Sequence, residues 1–180
     1  MSTIEKALEK FDKNSRSSVV VDSPTKQQRS RQQGETGGNS RNVEVDFAEL
    51  RRAGILTPED AHTRLAEEYR VIKRPLLNNA QGGSLGPLEN GNLIMVTSAL
   101  PGEGKTFTAI NLAMSIALEY DRTALLVDAD IANPSVSRYF GIRPERGLVD
   151  YLSDDRIALS DIMVKPNVDK LSFLPAGAPH

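Results

Sequence analysis

The side chains best equipped for chemistry fall in two short runs. The first is SALPGEGKTFT, residues 98 to 108. Gly102 and Gly104 permit a tight turn that brings backbone N–H groups up to phosphate oxygens. A helix beginning near Lys105 would aim its positive end at the same point. Lys105 has the reach for β- and γ-phosphates, and the Thr106 hydroxyl suits Mg²⁺. With Pro101, Glu103 and Phe107 completing the loop, the run is expected to bind ATP and Mg²⁺. The strict pattern G-x-x-x-x-G-K-[ST] has glycine where this chain has Ala99. Alanine is the smallest substitute, and it requires ordinary φ/ψ there. A chance strand–turn–helix with a capping threonine is the competing reading. Context weighs against it, because an apolar strand precedes the loop and a strong helix follows.

The second run is LLVDADIANP, residues 125 to 134. Asp128 and Asp130 stand at the carboxyl end of an expected strand, where ligands bind in open α/β sheets. One carboxylate would serve Mg²⁺ and the other would orient or deprotonate an attacking hydroxyl. The alternative is that an aspartate simply caps the following turn, a common arrangement before a proline-containing loop. Asp128 and Asp130, with Lys105, are the candidate catalytic residues; Thr106 and Asp128 are the candidate metal ligands.

Alternating elements must position these runs. Leu93 to Thr97 reads as a short strand and Phe107 to Tyr120 as a helix. Ala124 to Val127 reads as a second, buried strand, and Pro134 to Phe140 as a short helix ended by Gly141. Leu171 to Leu174 is a third strand. This alternation predicts an α/β fold with a mainly parallel sheet flanked by helices. Before it, Asp46 and Glu49 have capping-box spacing for a helix ended by Gly54. A second helix is expected from Thr57, with Pro58 at its first position. Its buried side would be Ala61, Leu65, Tyr69, Ile72 and Leu76, and Pro75 would end its regular part. A loop covers 78 to 91.

The amino-terminal part differs in character. Residues 1 to 11 are expected to form a short amphipathic helix on which Ile4, Leu8 and Phe11 share a stripe, with Ser2 and Glu5 at capping-box spacing. So short a helix is marginal alone in water, and docking against a partner is its natural use. Residues 12 to 43 are dominated by Ser, Gln, Asn, Arg and Gly, with Val19 to Val21 as the one apolar run. They bury too little to offset ordering entropy and read as a disordered linker. The organisation is therefore 1–11, 12–43, a helical lead-in at 44–91, and the nucleotide-binding part at 92–180.

Composition narrows the function classes. The 180 residues carry a formal charge of −2 and no cysteine, so neither a nucleic-acid-binding surface nor a thiolate metal site is expected. His62 and His180 lack ligand spacing for a metal. No apolar run is long enough for a membrane span, and the charged opening MSTIEKALEK lacks the apolar core expected of a signal peptide. The chain reads as cytoplasmic, with any membrane recruitment left to a partner.

The run VTSALPGEGKTFTAINLA followed by LLVDADIANPSVSRYFG resembles the bacterial protein-tyrosine kinases of exopolysaccharide export. The opening MSTIEKALEKF and the segment AEEYRVIKRPLL are most similar to autokinases associated with exosortase gene clusters. The resemblance covers both ends of the chain and most of it from residue 45, but not the linker. It implies a P-loop ATPase fold and phosphoryl transfer from Mg·ATP to tyrosine. It also implies a membrane polysaccharide co-polymerase as partner. Family members often carry alanine at the position of Ala99. The family's D-x-D-x-R motif lands on Asp128 and Asp130, with Asp128 serving Mg²⁺ and tyrosine activation, but Ala132 replaces its arginine. A Glu-x-x-Arg-x-x-Arg motif for ring-like self-association lands on Glu67, Arg70 and Lys73. Lysine cannot reproduce an arginine fork. The local alternative is pairing between residues three apart on the helix.

Two other readings compete with the kinase. Chromosome-partitioning and septum-positioning ATPases carry an extra lysine in K-G-G-x-G-K-T, where this chain has Leu100 and Pro101. A non-catalytic nucleotide-binding module is the other alternative. The resemblance also places a further aspartate on a later strand and a tyrosine-rich tail beyond it. The sequence has neither, so it is expected to be incomplete at its carboxyl end. Its four tyrosines, Tyr69, Tyr120, Tyr139 and Tyr151, lie in expected folded segments.

Overall fold

The computed structural model describes residues 40–81, 89–143 and 145–178. The expected helix at 1–11, the linker up to residue 39 and His180 lie outside the described residues. Four strands form one mixed sheet in the order β1-β3-β4-β2: β1 (Arg41–Val43), β2 (Ala124–Val127), β3 (Val164–Pro166) and β4 (Leu171–Leu174). β1 runs parallel to β3, and β2 runs parallel to β4 with Ala124 opposite Leu171 and Val127 opposite Leu174. The central β3–β4 pair is antiparallel.

Among the described residues there are six α-helices: α1 (Phe47–Arg52), α2 (Arg64–Ala80), α3 (Lys105–Ala117), α4 (Val136–Tyr139), α5 (Leu148–Ser153) and α6 (Leu159–Ile162). α3 is the core helix. Every residue from Ile110 to Ala117 is buried, as expected of a helix apolar around most of its circumference. It packs against α2 on one side and against β2 and β4 on the other. Below it, the Phe140 and Phe173 rings meet edge to face at 5.4 Å.

Two asparagines fasten the lead-in segment to this core. The Asn111 side chain accepts from Leu56 N–H at 2.7 Å and donates to the Gly54 carbonyl at 3.4 Å. Asn167 treats Val45 the same way, accepting from its N–H at 2.8 Å and donating to its carbonyl at 3.4 Å. Gly147 fits for want of space: a Cβ there would strike the backbone of Pro175 and Gly177.

Several expectations hold. Asp46 caps α1 by accepting from Ala48 and Glu49 N–H. Gly54 and Gly141 follow α1 and α4 with φ of +74° and +65°. The Ala124–Val127 and Leu171–Leu174 strands form within the expected bounds.

Others need correction. Residues 41–43 are a strand and not linker; their sequence, Arg-Asn-Val, has little strand character and owes its form to pairing with β3. Thr57 and Asp60 form only a 3₁₀ turn, and the long helix starts instead after Thr63, whose hydroxyl accepts from Ala66 N–H. That helix runs through Pro75 to Ala80, shortening the expected loop. The buried stripe of α2 is Ala66, Tyr69 and Lys73, while Ile72 is exposed.

Leu93 to Thr97 has no regular secondary structure and joins no ladder among the described residues. Leu93 and Met95 are 79% and 82% exposed. A strand needs a neighbour for its N–H and C=O groups, and this segment has none there. β2 is buried on one face only, leaving Leu125 and Val127 on the other. α3 begins at Lys105, as the phosphate-loop reading expected, and ends at Ala117 rather than Tyr120.

Candidate phosphate-binding site

The loop from Ser98 to Gly104 leads directly into α3. Gly102 and Gly104 have φ of +83° and +90°, the left-handed region that side chains resist. Nothing lies within 4 Å of where a Cβ would stand on either glycine, so the space above the loop is open. Gly104 occupies the N-cap position of α3, and its carbonyl accepts the first helical bond, from Thr108 N–H at 2.8 Å. Among the described residues, the N–H groups of Gly102, Gly104, Lys105 and Thr106 donate no hydrogen bond. A left-handed turn over unpaired helix N–H groups forms a concavity that suits an anion.

Ser98 and Glu103 brace the loop. The Ser98 hydroxyl donates to the Leu100 carbonyl at 3.1 Å, and Glu103 Oε2 accepts from Leu100 N–H at 3.0 Å. The Leu100 N–H bond is the main reason the Glu103 carboxyl titrates below its ordinary value, against a smaller opposing effect of desolvation. The Ser98 hydroxyl, Ala99 N–H and the charge of Lys105 add lesser pulls downward. Phe107 turns its ring away from the loop and into the core, against Gly54. Only its backbone faces the site that the sequence assigned to it.

The aspartates arrive from β2. Asp128 is 4% exposed, and its two oxygens meet three backbone N–H groups. Oδ1 accepts from Asp130 at 3.2 Å; Oδ2 accepts from Ser135 and from Val136 at 3.1 Å each. Asp130 is exposed and accepts from Asn133 N–H at 3.1 Å. Both therefore shape the loop that follows β2, the turn-capping alternative in the sequence. Asp128 sets that loop against α3, because Ser135 Oγ lies 2.7 Å from Thr106 Oγ1. Ser135 joins the two sequence runs, and no motif marked it. Its one signal was a serine placed where a short helix begins.

The self-association residues separate. Glu67 and Arg70 pair with each other on the exposed side of α2, at 2.8 and 3.0 Å. Lys73 points inward, where its Nζ donates to the Ser115 carbonyl at 2.6 Å and pairs with Glu119 at 2.7 Å. Of the tyrosines, Tyr69 is buried and Tyr120 is almost wholly exposed.

No family model matches the chain. Over 132 residues it is 40% identical to the succinoglycan biosynthesis transport protein ExoP of Rhizobium meliloti (strain 1021), covering 73% of this chain and 16% of that one. Over 90 residues it is 37% identical to the tyrosine-protein kinase CpsD of Streptococcus agalactiae, covering 49% and 38% respectively. Among solved structures, the BceF tyrosine kinase domain matches with a TM-score of 0.52 at 26% identity, over 78% of this chain and 57% of that one. The chain is related to the bacterial tyrosine kinases. It has the P-loop α/β fold of their kinase domains, and it spans well under two thirds of the curated relatives it matches.

Proposed function

We propose that the chain binds Mg·ATP at the Ser98–Thr106 loop and serves an ATP-dependent protein-tyrosine autokinase that regulates exopolysaccharide synthesis. The observation that carries this reading is the open left-handed loop on the amino end of α3, joined through Thr106 and Ser135 to the Asp128 loop. The names of CpsD and BceF as tyrosine kinases supply the reaction class. The name of ExoP as a transport protein of succinoglycan biosynthesis supports a polysaccharide co-polymerase as partner. The exosortase-associated branch rests on the residue resemblance at 1–11 and 66–77.

The residues fit the nucleotide and its metal. Open space over Gly102 and Gly104 admits phosphate oxygens to the backbone N–H groups. Mg²⁺ takes one or two protein ligands and completes its shell with phosphate and water, a demand that one hydroxyl and one carboxylate meet. Thr106 and Asp128 would hold it, and when bound it neutralises charge on the transferred phosphoryl group. Lys105 holds the β- and γ-phosphates, and α3 adds its dipole at the same point. Asp128 Oδ1 accepts one backbone bond and retains a lone pair, whereas Ser135 and Val136 N–H take both lone pairs of Oδ2. Asp128, assisted by Asp130, would orient the acceptor hydroxyl for in-line attack and receive its proton.

Glu67 and Arg70 offer an exposed charged patch for contact between copies; Lys73 is not part of that surface. No helix among the described residues is long and apolar enough to cross a membrane. We place the chain on the cytoplasmic side of the membrane, recruited by its partner.

The test is tyrosine phosphorylation of the purified chain in Mg·ATP, read by mass spectrometry beside ATP affinity. Lys105→Met should weaken ATP binding roughly 100-fold, as the loss of a charge-assisted contact of about 3 kcal/mol implies. Phosphotyrosine, if formed, should vanish with it. ATP hydrolysis without phosphotyrosine would sink the kinase assignment and favour a partitioning-type ATPase.

A further inference from the structure

The Thr106–Ser135 contact has chemistry beyond joining two loops. The hydroxyls lie 2.7 Å apart, and either can donate. Ser135 is firmly held. Its N–H and that of Val136 share one oxygen of the buried Asp128 carboxylate. It also stands at the N-cap position of α4, where a serine hydroxyl would ordinarily accept from the helix backbone. It makes no such bond. Asp128 takes the capping role, so the Ser135 hydroxyl is free to point at Thr106.

A hydroxyl has one proton and two lone pairs. While the site is empty, the pair has two hydrogen-bond directions available. A cation at Thr106 Oγ1 needs a lone pair there and repels a proton directed toward it. If Ser135 donates, its proton occupies one of the Thr106 lone pairs. If Thr106 donates, its proton is parked on Ser135 and its lone pairs face the site.

We propose that Ser135 is a positioning residue that accepts the Thr106 proton and so turns the Thr106 oxygen toward a divalent cation bound with nucleotide. The proposal rests on reading the loop as a Mg·nucleotide site. It adds a residue that neither the motifs nor the comparisons assign. Ser135 touches neither phosphate nor metal in this role and acts only through Thr106.

The experiment is calorimetric binding of ADP to the full 180-residue chain, with Mg²⁺ and with EDTA, for wild type, Ser135→Ala, Ser135→Thr and Thr106→Ala. Ser135→Ala keeps the backbone bond to Asp128, and unchanged thermal melting confirms that the loop stays in place. The ratio of affinities with and without Mg²⁺ should fall roughly three- to tenfold in Ser135→Ala, the span of one neutral hydrogen bond. Metal-free affinity should stay within about twofold, because no phosphate contact is lost. Ser135→Thr restores the ratio, and adding Ser135→Ala to Thr106→Ala lowers it no further.

An undiminished ratio in Ser135→Ala overturns the proposal. So does an equal loss with and without Mg²⁺, which would make Ser135 a brace for the loop. A failure of Ser135→Thr to restore the ratio also counts against it. Wild type that binds ADP without any gain from Mg²⁺ removes the metal role and leaves the phosphate site standing. Wild type that binds no ADP overturns the site reading and this proposal together.

Discussion

The two ends of α3 are treated in opposite ways. Both carry unpaired backbone groups, N–H at the amino end and C=O at the carboxyl end, with the helix dipole adding about half a charge to each. At the carboxyl end the carbonyls are covered by the chain's own lysines. Lys73 Nζ takes the Ser115 carbonyl at 2.6 Å, and Lys170 Nζ takes those of Glu119 and Tyr120 at 2.6 and 3.3 Å. At the amino end the N–H groups of Lys105 and Thr106 have no partner among the described residues, and the glycine turn keeps them open. One end of the helix is finished by the fold; the other is left open, and it is there that we propose the phosphate site. The proposed site thus rests on what the sequence withholds as much as on what it supplies.

The largest effect should come from breaking the finished end. The Glu119 N–H, which would serve Ser115 in a longer helix, bonds instead to Ile116. Lys73 is therefore the described partner of a buried carbonyl, and its side chain is 7% exposed. Lys73→Met keeps the apolar stem but loses the charge and the donor. Stability should fall by about 2 kcal/mol, less than for a fully buried pair because Glu119 is partly solvated. Urea denaturation would show it as a lower midpoint at unchanged slope. Nucleotide affinity of the folded protein should not move, and a loss there would mean that the two ends are coupled. An unchanged midpoint would show that the lysine contributes nothing net.

Opening the other end should cost less. Gly104→Ala places a Cβ on a residue with φ of +90°. The strain is about 1–2 kcal/mol, with no steric clash to add, since the space around it is empty. Stability should drop by that amount, and nucleotide affinity should drop as well, because relief of the strain closes the turn. Retained affinity beside lost stability would show that the phosphates do not use this turn. Thermal melting and ADP titration of the same sample separate the two outcomes.

The difference between the ends also marks what was legible in the sequence. The glycine turn and the helix start at the open end were readable because their physics is local: two glycines at fixed spacing before a strong helix need no distant partner. Gly54 and Gly141 were readable for the same reason, each ending a helix by left-handed backbone. The finished end was not. Periodicity put Ile72 in the core, yet Lys73 is buried because a carbonyl forty-two residues away needs a donor. Pro75 was expected to stop α2, but the helix continues because Leu76 and Leu77 still have core to pack against. Arg41–Val43 became a strand only through β3, and Leu93–Thr97 failed to become one for want of a neighbour. Ser135 was missed because its role depends on Asp128 assuming the capping position that serine usually takes.

The smallest effect tests whether the open end is fully open. Glu103 sets an exposed carboxylate on Leu100 N–H within the loop proposed to hold phosphate. Because that bond lowers the carboxyl below its ordinary 4.5, its contribution to loop stability is complete above that value and is lost only as pH falls through the lower folded one. Between pH 6 and 8, then, the group is ionised and repels an incoming phosphate, screened by water and salt. Glu103→Ala should tighten ADP binding about two- to fivefold at low ionic strength, with the gain shrinking as salt rises. Equal or weaker binding in Glu103→Ala would give the carboxylate the opposite role. It would then be the brace that holds Leu100 and the turn in the shape that phosphates require, and the open end would need its own small piece of finishing before a ligand arrives.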